Sequence, residues 1–143
     1  MSDVYIVGYD GTDASKRALD YARARARRSG ANLHLLMVLE WSPYSFLTPQ
    51  ELEERHKRRS EEIARAEALI DPQVKALADE GLKASREVRY GHAAELFCEV
   101  AEAKKAAQIV IGRTGSTSLA QRILGGLAMS LVQAAPVPVT VVP

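Results

Sequence analysis

The chain has 143 residues, within the usual range of about 100–200 for one domain, so residues 1–143 are expected to form a single unit. Apolar residues make up 47% and charged residues 26%, which excludes a disordered or fibrous chain. Nineteen basic side chains against eighteen acidic ones leave a formal charge of +1, so bulk electrostatics offer no grip on nucleic acid or an anionic membrane.

Short apolar runs alternate with longer amphipathic ones. Val4 to Val7 is apolar without alternation, the mark of a strand buried on both faces. The loop Gly8-Tyr9-Asp10-Gly11-Thr12-Asp13 follows. Ala14 to Ser29 then reads as a helix, with Ala14, Ala18, Ala22 and Ala26 on one stripe beside Leu19. Thr12 or Asp13 can cap its start and Gly30 can end it. Leu33 to Leu39 is a second buried strand. A loop carrying Trp41 and Tyr44 leads to a charged helical stretch from Pro49 to about Glu80, which Pro72 should kink or split. Ala84 to Tyr90 is a weaker strand, Ala93 to Lys105 a helix, and Ile109 to Ile111 a strand ending at Gly112. A Gly/Ser/Thr-rich loop reaches Gly125-Gly126. Leu127 to Ala134 is a short helix, and Val137 to Val142 the last strand.

The alternation of strands and helices implies an α/β fold: an open, doubly wound parallel sheet of five strands with helices on both faces. The usual strand orders are 3-2-1-4-5 and 2-1-3-4-5, and the first is expected here. Such sheets bind ligands beyond the carboxyl ends of their strands, where the winding reverses. Order 3-2-1-4-5 would place the loops after strands 1 and 4 on opposite walls of one crevice. These are the loops richest in Gly and hydroxyl residues.

The second loop has a defined spacing. Gly112 and Gly115 are followed, after nine residues, by Gly125-Gly126 opening a helix. Glycine allows close backbone approach, and free N–H groups at a helix start favour phosphate. Ser116, Thr117 and Ser118 add hydroxyl donors. Asp10 suits ribose hydroxyls better than phosphates, because two anions repel without a bridging cation. The competing readings are structural. Asp10 could be a helix cap, the first two glycines a tight turn, and Ser116 to Ser118 a solvated loop.

In order and spacing, these motifs resemble the universal stress protein family, and its ATP-binding branch in particular. The resemblance rests on Val-Gly-Tyr-Asp-Gly-Thr (7–12), Leu-Leu-Met-Val-Leu-Glu (35–40), Gly112-x-x-Gly115-x9-Gly125 and Val-Pro-Val-Thr-Val-Val (137–142), and it covers nearly the whole chain. It implies cytoplasmic homodimers that bind ATP, ADP or AMP, with Mg²⁺ brought by the phosphates. By position, Asp10 and Gly11 belong to the ribose loop and Val38 meets the adenine. Gly112, Arg113, Gly115, Ser116, Gly125, Gly126 and Leu127 line ribose and phosphates, with Arg113 and Leu127 contributing backbone. The family carries Ser or Thr after its third glycine. Here Gly126 stands there and removes one hydroxyl.

Other features read as structure. The six basic residues of the first helix, Lys16, Arg17, Arg23, Arg25, Arg27 and Arg28, form a solvated face. His34, His56 and His92 stand alone, without metal-ligand spacing. The one cysteine, Cys98, permits no internal disulfide and reads as core. No stretch approaches the ~20 apolar residues of a membrane helix. Pro138 marks an edge strand, and Val137 to Val142 is the expected homodimer seam. No Walker-type Gly-Lys-Ser/Thr and no nucleophile–histidine spacing is legible, so catalysis beyond slow ATP hydrolysis is not expected. The alternatives are a dimeric interaction module that binds no nucleotide and an ATP-using enzyme of related fold, such as a nucleotide-alpha hydrolase or ligase.

Overall fold

The computed structural model describes residues 2–40, 48–113 and 126–143. Five strands, β1 (Val4–Gly8), β2 (Asn32–Leu39), β3 (Ala84–Tyr90), β4 (Gln108–Gly112) and β5 (Val139–Val142), form one sheet in the order β3-β2-β1-β4-β5. Every strand pairing is parallel. Four helices connect them: α1 (Asp13–Ser29), α2 (Pro49–Asp79), α3 (Ala93–Ala103) and α4 (Gly126–Ala134). This is the expected architecture, and the other strand order is excluded.

The strands are apolar on both faces because helices cover both. Tyr5, Val7, Leu33, Leu35, Met37 and Val110 join α1 and α2 in one core layer. Ile6, Leu36, Ile109 and Ile111 join α3 and α4 in the other. Side chains alternate along a strand, so one segment feeds both layers.

The first helix begins where Thr12 accepts a hydrogen bond from Ser15 N at 3.2 Å. It ends at Gly30, whose φ of +76° suits glycine. The small residues Ala18, Ala22 and Ala26 are fully buried, which lets the helix lie close to the sheet. At Gly112 the approach is closest. A Cβ there would stand 2.2 Å from the Ala14 carbonyl oxygen.

Of the kink or split expected at Pro72, the second helix shows no split. It runs unbroken from Pro49 to Asp79. Proline removes one donor from the ladder, which here costs the Ala68 carbonyl its partner. Ala68 is exposed, so water can satisfy that oxygen. Ala66 and Ile70 before the proline and Leu77 after it are buried, and they hold both halves on the same core layer. Glu67 and Asp71 also clamp Arg86 of β3 at 2.7 and 2.8 Å.

The last strand begins two residues later than the periodicity suggests. Among the described residues it pairs only with β4, and the Pro138 carbonyl still accepts from Ile109 N at 2.9 Å.

Candidate functional site

A cavity of about 280 Å³ opens beyond the carboxyl ends of β1, β2 and β4, among the described residues. Winding reverses between β1 and β4, so their exits diverge and leave a gap. Leu36, Val38, Phe97 and Ile111 make its walls apolar. Asp10 and Glu40 place carboxylates at its rim. Gly126, Leu127 and Ala128 close it from the α4 side.

Five residues expected in the site line this cavity together: Asp10, Val38, Gly112, Gly126 and Leu127. About a hundred residues of chain separate the two walls they form. Gly11 and Arg113 are not among the lining residues. Gly11 has φ +82° and faces Leu69 of α2. Arg113 donates its backbone N–H to the Val142 carbonyl at 2.8 Å, which ties β4 to β5. Gly115, Ser116, Thr117, Ser118 and Gly125 lie outside the described residues, as do Trp41 and Tyr44.

The two described glycines of the second loop differ in what their missing side chain does. At Gly112 the space is taken by α1, so its identity is explained by packing. At Gly126 a Cβ would meet no described residue within 4 Å. Gly126 is the first described residue of α4 and stands at the end of that helix that faces the cavity.

Asp10 is exposed and accepts hydrogen bonds from the backbone N–H (3.0 Å) and hydroxyl (2.5 Å) of Thr12. Thr12, and not Asp10, caps α1. Burial alone would raise the Asp10 pKa, but the Thr12 and Ser15 hydrogen bonds outweigh it and hold the carboxyl below its ordinary value. An ionised acceptor at the lip of an apolar slot can take hydrogen bonds from sugar hydroxyls.

Sequence reasoning missed Glu40 and Phe97. Glu40 had a signal: Leu36, Val38 and Glu40 fall on one face at period two. Phe97 had none, because only the packing of α3 brings it beneath Gly8. Cys98 is half-buried between α3 and α4, and burial pushes its thiol pKa up, away from nucleophilic character.

His34 corrects a second expectation. It is buried and far from solitary, with hydrogen-bond partners on both ring nitrogens. Among the described residues no group of acidic, His or Cys side chains could hold a metal ion.

A family model described as the universal stress protein family matches residues 1–143. The chain belongs to that family. It is 34% identical over 138 residues to a universal stress protein of Methanocaldococcus jannaschii, covering 96% of this chain and 79% of the relative. It is 33% identical over 147 residues to one of Thermus aquaticus, covering 99% of each. Among solved structures, the UspA universal stress protein of Lactobacillus plantarum superposes with a TM-score of 0.83 at 26% identity, covering 99% of this chain and 97% of that one. Two more distant members share the fold and hold nucleotides. One is a universal stress protein in complex with cAMP (23% identity, TM-score 0.67, covering 99% and 96%). The other is the Archaeoglobus fulgidus protein in complex with dAMP (16% identity, TM-score 0.67, covering 100% and 98%).

Proposed function

We propose that this universal stress protein binds an adenine nucleotide in the crevice between the β1 and β4 exits. The observation that carries the reading is the shared cavity of Asp10, Val38, Gly112, Gly126 and Leu127. Its donors and acceptors suit the ligand. The apolar walls at Leu36 and Val38 accept a base. Asp10 accepts from ribose hydroxyls. The N-terminal end of α4 would offer backbone N–H groups to phosphate oxygens in this reading. Gly115, Ser116 and Gly125 complete the phosphate side in this reading, and Mg²⁺ would arrive with ATP. The cAMP and dAMP complexes of distant family members support the ligand class.

The protein is further proposed to act in the cytoplasm as a homodimer paired through residues 137–142. No described helix is long and apolar enough to cross a membrane.

Calorimetric titration with AMP, cAMP, ATP and ATP–Mg²⁺ tests the reading. Asp10→Ala removes a charged hydrogen-bond acceptor worth about 1.5–3 kcal/mol. It should weaken binding roughly 10- to 100-fold with the fold intact by circular dichroism. Gly115→Val should weaken it as well. Wild-type affinity in both variants would refute the site.

Gly126 favours a second reading, a dimeric module that binds proteins and no nucleotide. Purified protein that releases no nucleotide and gives no titration heat with any of the four ligands would establish that reading instead.

A further inference from the structure

His34 lies at the opposite end of the sheet from the crevice. It is the third residue of β2 and only 3% exposed. Its strand partner is Ser85, and Glu87 follows two residues later on the same face of β3. Nδ1 lies 2.7 Å from Ser85 Oγ, and Nε2 lies 2.9 Å from Glu87 Oε1. A carboxylate only accepts, so Nε2 carries the proton. Nδ1 is left with its lone pair directed at Ser85, whose hydroxyl donates to it.

The surroundings keep that tautomer neutral. Burial lowers the His34 pKa below its ordinary 6.5, the Glu87 hydrogen bond opposes this, and the Lys104 charge adds to the lowering. Glu87 is also 3.7 Å from Arg89, which in turn reaches Glu99 of α3 at 3.4 Å. Ser85 is exposed although its base is buried. The α2 helix packs on β3 through the other core layer, so it does not cover the Ser85 hydroxyl.

We propose that Ser85, His34 and Glu87 form a nucleophile–base–acid relay that acts on small activated acyl esters reaching the exposed Ser85 hydroxyl. The parts meet the general requirement of a hydroxyl within hydrogen-bond reach of a base that a third group orients. The two ring nitrogens exchange the roles they have in the familiar serine-protease arrangement. Ser85 Oγ bonds to the ester carbonyl carbon as its proton passes to His34 Nδ1. Glu87 steadies the imidazolium. The alcohol leaves with that proton as its C–O bond breaks. Water then attacks the acyl-serine by the same route, releasing the carboxylic acid and restoring Ser85. None of these steps uses the nucleotide crevice.

The test is covalent labelling of the full chain with an alkyl fluorophosphonate, read by intact mass and peptide mapping. One adduct on Ser85 is expected, forming an Oγ–P bond with loss of fluoride. Ser85→Ala should abolish it. Glu87→Gln and His34→Gln should slow labelling at least ~10-fold, the low end of what general-base assistance supplies. The wild-type rate should rise with pH below 6.5, as His34 loses its proton, and then level. Glu87 is partly exposed, so Glu87→Gln serves if His34→Gln does not fold. No adduct above the Ser85→Ala background would overturn the proposal. So would a Ser85 adduct whose rate ignores both Glu87→Gln and pH.

Discussion

A single missing methyl decides how β4 meets α1. Gly112 brings its Cα so close to the Ala14 backbone that any side chain collides with a carbonyl oxygen rather than a yielding side chain. Gly112→Ala should therefore destabilise the protein by about 1–3 kcal/mol, the usual cost of overpacking, measured by urea denaturation. Gly126→Ser meets no described neighbour and should cost far less. It also restores the hydroxyl that the family pattern places there. His34 makes a different residue-scale prediction. Its folded pKa is below 6.5, the ordinary value, so below that pH the unfolded chain binds a proton that the folded chain resists. Stability should be full above pH 6.5 and fall as pH drops toward the lowered folded value. Thermal melts from pH 7.5 to 5 would show this slope, and His34→Gln should flatten it.

At the scale of elements, packing overrules propensity in α2. An interior proline costs about 3 kcal/mol relative to alanine in an isolated helix, yet the helix continues through Pro72. Its buried residues lie on both sides of the proline, so splitting the helix would expose Ile70 or Leu77. Pro72→Ala restores the missing donor and should stabilise the protein by about 1–3 kcal/mol in chemical denaturation. A fall in stability would overturn this reading of Pro72. The start of the helix depends on Thr48, which forms a reciprocal capping box with Glu51. Thr48→Ala should cost about 1 kcal/mol. The basic face of α1 is partly neutralised by α2. Glu80, at the end of that helix, is 3.3 Å from Arg23 and 2.8 Å from Arg27. Exposed pairs of this kind contribute little each, which agrees with a solvated face.

For the whole molecule, the sheet leaves two edges, β3 and β5, with different chemistry. The β3 edge is lined by Ser85, Arg86, Glu87 and Arg89, charged or polar groups that discourage further pairing. The β5 edge presents Val139 and Val141, each partly exposed. A second copy pairing there would bury them. In sedimentation equilibrium the wild-type chain should behave as a dimer, and Val141→Asp should shift it to monomer with its helical signal retained. A monomeric wild type at micromolar concentration would sink the proposed seam.

Local chemistry determined the strands, the helices and most of their ends. Parallel strands covered on both faces must be apolar without interruption, and amphipathic helices must repeat every three or four residues. Both patterns lie within a dozen residues and are legible there. The two glycine loops were legible for the same reason. The strand order already implied that Asp10 and Gly126 share a cavity. Tertiary structure alone decided that Glu40 and Phe97 complete it. It also decided that His34 sits between Ser85 and Glu87, fifty residues away along the chain. Strand register brings such groups together, and register is set by the summed burial of many side chains on both faces. No single stretch of sequence carries that sum.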